Sequence, residues 1–221
     1  MVTALESKQT LLLVGDDAVD TADWLARGVS GSFESQRLQL LDSVPGVVDY
    51  YAEASAALAA DFYEGSRADA GVTGSYTADA IVLDRTVKIR RAVVWAADPL
   101  DSGDLEAAIL RLQTVVRSEV NRPYRDTILA NRKRDPAASG WRRIARGAGC
   151  GLCRMLADRG AVYRESTAWF AAHPDCNCTC EPVFSTTDTG EPLSVGQFIG
   201  SKRNPSPAQK ARLKELIAEF E

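Results

Sequence analysis

Five cysteines and the only histidine of this 221-residue chain fall between residues 150 and 180. They read Cys150-x2-Cys153, then 19 residues, then His173-x2-Cys176-x-Cys178-x-Cys180. Thiolate and imidazole are the donors that close a tetrahedral zinc site. A Cys-x2-Cys knuckle brings two thiolates together from one turn, and Gly147, Gly149 and Gly151 let the backbone fold closely around an ion. His173-x2-Cys176 supplies a second pair from a loop stiffened by Pro174. The most economical set is Cys150, Cys153, His173 and Cys176, with Cys178 competing for the fourth place. Cys176, Cys178 and Cys180 would share one face of an extended segment. Cys180 reads as a buried small hydrophobe or spare thiol.

Two other chemistries use the same residue types. A cysteine nucleophile could take His173 as its base, but no third group that would orient the pair is identifiable. A catalytic zinc leaves one position open, whereas here the donors outnumber the positions. The chain has no phosphate-binding loop, dinucleotide fingerprint, nucleophile elbow or zincin motif. The expectation is therefore a structural zinc and no enzyme. With no signal-peptide core in view (the early apolar run Leu11 to Val14 is short and ends at Gly15-Asp16-Asp17), thiols are expected to bind metal rather than form disulfides. No apolar stretch is long enough to span a membrane.

The elements that must position these donors are mainly helical. Asp16–Arg27 reads as a short helix. A second starts at Ser43-Val44-Pro45, with proline in the first turn, carries Val47, Val48, Tyr51, Ala54, Leu58 and Phe62, and ends near Ala70-Gly71. Asp84–Ala97 is a third, closed by Pro99, and a fourth runs from about Asp104 to Asn131. Trp141 to Arg146 alternates apolar with basic residues, as a short exposed strand would. Ser206-Pro207-Ala208-Gln209 is a capping box that opens an amphipathic helix through Leu213, Leu216, Ile217 and Phe220. The expected fold is mainly α: a helical body at 1–137, a small α+β Cys/His zinc module at 138–185, and a loop with a C-terminal helix at 186–221.

Charge is unevenly spread. Residues 1–84 carry a net −10, residues 85–164 a net +9 and residues 165–221 a net −3. The total of −4 argues against a dedicated nucleic-acid binder. The basic run Arg132, Lys133, Arg134, Arg142, Arg143 and Arg146 is the candidate contact surface, facing either DNA or an acidic protein surface.

The run Gly149-Cys150-Gly151-Leu152-Cys153-Arg154-Met155-Leu156, with His173-Pro174-Asp175-Cys176-Asn177-Cys178 and Pro182-Val183-Phe184, resembles the C-terminal module of MuF-like minor head proteins of tailed phages. The Val44-Pro45 helix and Arg125-Asp126-Thr127-Ile128-Leu129-Ala130-Asn131 resemble the subgroup found in phages of actinobacteria. The chain departs from the family at Asn177, often basic there, and in the additional Cys180. The resemblance implies a low-copy minor capsid protein inside the virion head, associated with the portal or the major capsid protein, with packaged DNA as a further partner. A zinc-containing DNA-binding accessory factor for packaging or ejection is the alternative reading, and a Cys/His enzyme stands behind it.

Overall fold

The structure, a computed structural model, describes residues 2–145, 150–161, 163, 170, 176–188, 190 and 204–219. Along the chain run α1 (Ala4–Gly28), α2 (Phe33–Asp69), α3 (Thr86–Ala97), a 3-10 turn (Asp98–Ser102), α4 (Leu105–Arg134), β1 (Gly140–Ile144), α5 (Gly151–Ala157), β2 (Thr179–Val183) and α6 (Pro207–Ala218). The mainly helical class with a small two-stranded sheet is as expected.

The chain folds as two compact units, each drawn from separate stretches of sequence. One, the four-helix unit, comprises Gln9–Ala60 and Asp79–Thr127. Its core is built from Ala18, Val19, Ala22 and Ala26 of α1, Leu40, Leu41, Val44 and Val48 of α2, Ile89, Val93 and Ala96 of α3, and Ala108, Ile109, Leu112, Val116 and Val120 of α4. Each helix offers one stripe at helical spacing, and burial of those stripes holds the unit together. The other, the cysteine unit, comprises Met1–Lys8, Asp61–Ala78 and Ile128–Glu221.

Two helices are longer than the sequence reading, for identifiable reasons. α1 does not begin at Asp16 but at Ala4, because Thr3 and Glu6 form a capping box. The Glu6 carboxylate accepts from the Thr3 amide at 2.7 Å, and Thr3 Oγ1 accepts from the Glu6 amide at 3.2 Å. Gly15 is carried inside the helix, an exchange that costs only about 1 kcal/mol relative to alanine. The neighbouring acids are engaged. Asp16 pairs with Arg117 at 2.6 Å, and Asp17 accepts from the Tyr51 hydroxyl at 2.7 Å.

α2 likewise starts at Phe33 rather than at Ser43, with Ser32 Oγ accepting from the Ser35 amide at 3.3 Å. Pro45 therefore lies inside a helix. A proline has no amide hydrogen, so the carbonyl four residues earlier, that of Leu41, loses its helical donor. Arg90 of α3 supplies one instead, Nη1 to the Leu41 carbonyl at 3.0 Å. Arg90→Met is expected to destabilise by about 1–1.5 kcal/mol. Pro45→Ala should recover most of that loss in the Arg90→Met background, because alanine at this position restores the amide. Urea unfolding of the four chains in this cycle checks it.

Other ends fall where turn chemistry puts them. Gly71 follows α2 in the left-handed region at φ 67°, and its amide bonds the Ala68 carbonyl. Arg67 then fixes the following loop, reaching the Gly74 carbonyl at 2.7 Å and the Asp135 carboxylate at 3.0 Å. α4 is capped by Asp104 Oδ1, which accepts from the Ala107 amide at 3.0 Å. The capping box of Ser206 and Gln209 opens α6 as read from sequence, and α6 lies against α5. Phe220 lies outside the described residues.

Candidate metal centre

β1 and β2 pair antiparallel, with Trp141 opposite Pro182, Arg142 opposite Glu181 and Arg143 opposite Cys180. The strand at Trp141 is not exposed, as its alternation had suggested. Trp141 is 1% exposed. Its ring stacks on Tyr163 at 4.1 Å between centroids and meets Phe170 at 5.6 Å, and its amide donates to the Tyr163 carbonyl. Pairing of the two strands carries the chain around Cys176 and Cys178, which lie just before β2, to the same region as α5. Helix α5 contributes Cys153 from its first turn, with Cys150 at the N-cap.

The result is a buried set of three thiols, Cys153, Cys176 and Cys178, whose sulfurs all lie within 4.8 Å of one another. Cys153 and Cys176 are 3.6 Å apart, sulfur to sulfur. A tetrahedral ion with metal–sulfur bonds of about 2.3 Å sets its sulfurs about 3.8 Å apart. Distance, burial and donor softness therefore all fit a metal. The five cysteines, all among the described residues, form no disulfide.

The remaining donors take different places. Cys150 is exposed at the start of α5 and is not one of the three grouped sulfurs. Cys180 is buried in β2, opposite Arg143, and also stands apart from the group. His173 lies outside the described residues, as does Arg146.

Electrostatics around the thiols are unusual. Hydrogen bonding to Cys176 and Cys178, together with burial, pushes the Cys153 thiol far above its ordinary range, and Cys178 is raised as well. Without a metal these groups hold their protons. Two cations are sunk beside them. Arg143 is 3% exposed, with Nη1 4.0 Å from Cys153 Sγ and its guanidinium 3.9 Å over the Phe170 ring. Lys8 of α1 is 1% exposed. Burial pulls the Lys8 ammonium below its usual range, while Cys178, Cys153 and Cys176 pull it back up.

Burial also corrects the basic surface read from sequence. Arg143 belongs to the interior. Arg142 is engaged by Glu181 across the strand pair and by Asp188 at 3.4 Å. Arg132 is half-buried, and desolvation lowers its pKa. Lys133 and Arg134 remain exposed at the end of α4. The sequence reading missed Lys8 as a neighbour of the site. The signal was its spacing: residues 8, 11, 15, 18 and 22 form one buried stripe of α1, and Lys8 is the lone charge on it.

A cavity of about 690 Å³ lies beside this centre, lined by Thr3, Leu5, Arg142, Arg143, Arg154 and Glu181 among others. Its charged lining is mixed in sign.

A family model described as VG15 protein matches residues 5–198, spanning most of the chain and every cysteine. The chain belongs to the VG15 protein family. This is a phage-associated family of viral gene proteins, so the chain is phage-related. No curated protein and no solved structure shows significant similarity to it. Among the described residues of this VG15 chain, no helix is long and apolar enough to cross a membrane.

Proposed function

We propose that this VG15 chain is a minor head protein of the MuF-like kind in a tailed phage, with a structural zinc that locks its cysteine unit. The buried thiol triad carries the reading. It is a donor set suited to zinc, it lies in the segment that resembles the MuF-like module, and it sits in a chain of a phage family. Cys153, Cys176 and Cys178 would hold the ion. Two donors compete for the fourth position. Cys150 precedes Cys153 by three residues, and His173 precedes Cys176 by three. A closed four-ligand sphere supplies rigidity rather than reactivity, so no catalytic step is assigned. Zinc, when bound, would fix the turn before β2 against α5.

The partner surface proposed is a protein, the portal or the major capsid protein, and the site of action the inside of the virion head. With Arg143 buried and Arg142 paired, the exposed cations of the basic run that the structure describes reduce to Lys133 and Arg134. That favours protein docking over extensive phosphate contact, which needs many exposed Lys and Arg. Quantitative mass spectrometry of purified heads is the test. A low-copy chain that stays with the portal when heads are disrupted is expected. Its absence from virions would overturn the assignment. Salt-dependent DNA binding by the purified chain would favour the accessory-factor reading instead.

A further inference from the structure

We propose that Lys8 and Arg143 are the charge-balancing residues of the metal centre, tuning its affinity without ligating the ion. The inference rests on the zinc reading above and adds a role for two side chains outside the ligand set.

Both cations are almost wholly withdrawn from water, Lys8 at 1% and Arg143 at 3% exposure. Taking a charge out of water is costly unless it is balanced, and a protonated thiol carries no charge with which to balance it. Metal binding changes the balance. As three metal–sulfur bonds form, Cys153, Cys176 and Cys178 each release one proton to solvent. Three thiolates around a divalent ion leave a net −1, and a fourth thiolate would make it −2. Two adjacent cations offset that charge, so each state of the site favours the other. The geometry is specific for Arg143. Its Nη1 lies 4.0 Å from Cys153 Sγ, while the Phe170 ring at 3.9 Å fixes the guanidinium plane. Lys8 arrives from the other end of the chain and is buried within the same unit, where the cysteines act to hold its charge against the cost of burial. Metal loading is thereby linked to where the N-terminal turn of α1 sits in the cysteine unit.

The experiment titrates the full chain with cobalt(II) and zinc(II) against a competing chelator at fixed pH. It compares wild type with Lys8→Met, Lys8→Arg and Arg143→Met. Loss of a group that supports a ligand sphere typically weakens metal affinity about 10- to 100-fold. A loss of that size is expected for Lys8→Met and for Arg143→Met, with recovery in Lys8→Arg. The cobalt absorption spectrum should keep its shape, because the ligands themselves are unchanged. A purely structural role would instead alter the spectrum and would not distinguish methionine from arginine. Where Lys8→Met does not fold, Lys8→Gln, which keeps a polar head without charge, must show the same loss. Wild-type chain that binds neither ion would sink the zinc reading and this inference together. Wild type that binds, with both methionine variants within about twofold of it, would overturn the charge-balancing role and leave the zinc reading intact.

Discussion

Chelating the metal, or replacing Cys153 with Ser, is expected to release the cysteine unit while the four-helix unit keeps its helices. Structural zinc contributes on the order of 10–16 kcal/mol to the folding of isolated finger peptides at neutral pH. Here part of the support comes from Trp141, Tyr163 and the strand pair, so the contribution is smaller. Even a third of that figure, about 3–5 kcal/mol, approaches the lower end of the total stability of an ordinary domain, about 5–15 kcal/mol. Amide exchange at β1 and β2 should rise by several orders of magnitude on metal removal, and the Trp141 fluorescence should shift towards that of water-exposed indole. The core amides of α3 should be little changed. The pH dependence has a definite sign. Without a metal the thiols of Cys153 and Cys178 are pushed upward, so they bind protons at neutral pH unless a metal displaces them. Metal stabilisation is therefore fullest at alkaline pH and is lost as pH falls. Exchange rates at β1 that do not respond to chelator would remove the structural role of the metal.

Glu119→Gln is expected to have the largest effect in the four-helix unit. Its carboxylate is 5% exposed and accepts from Arg85 at 2.6 Å and from Lys88 at 2.7 Å. Removing one partner of a buried ion pair typically costs 3–5 kcal/mol. Arg85 and Lys88 reach water more easily, so about 3 kcal/mol is expected, or roughly 6–12 °C in Tm for a chain of this size. Burial acts to raise the Glu119 pKa, but the Arg85 and Lys88 hydrogen bonds and charges outweigh it, and the net shift is downward. A carboxylate lowered in the folded state stabilises above its unfolded pKa of about 4.3 and loses that contribution as pH falls through the folded value. Asp126, raised chiefly by burial and also within reach of the Arg85 charge, acts in the opposite sense. The wild-type acid slope is therefore a difference, and the slope removed by Glu119→Gln isolates one part of it. Thermal unfolding of both chains between pH 3 and 7 measures this. The two curves should converge at the acid end. A gap that persists unchanged to pH 3 would contradict the ion-pair account.

Much of the helical plan was legible because it follows from local chemistry. The third and fourth helices, the glycine after α2 and the Ser206 capping box all come from patterns within a few residues. What escaped depends on partners distant in sequence. Pro45 reads as a helix start, since nothing nearby shows that Arg90 will take the Leu41 carbonyl. The early part of α1 was legible in principle from Thr3-Ala4-Leu5-Glu6, but Gly15-Asp16-Asp17 masked it. Arg143 reads as surface because arginine usually is, and only the strand register brings it beside Cys153. The cysteine grouping was the most readable feature of all, because ligand spacing is a local property. Which donors converge is not: the sulfur of Cys178 joins those of Cys153 and Cys176, while Cys150 stands exposed.

Elemental analysis of the purified chain tests the central claim most directly. One zinc per chain in the wild type, lost in Cys153→Ser and in Cys178→Ser, is the predicted result. Loss in Cys150→Ser or in His173→Ala would name the fourth ligand. A wild-type chain that is folded, fully reactive towards thiol reagents and free of metal would contradict the account.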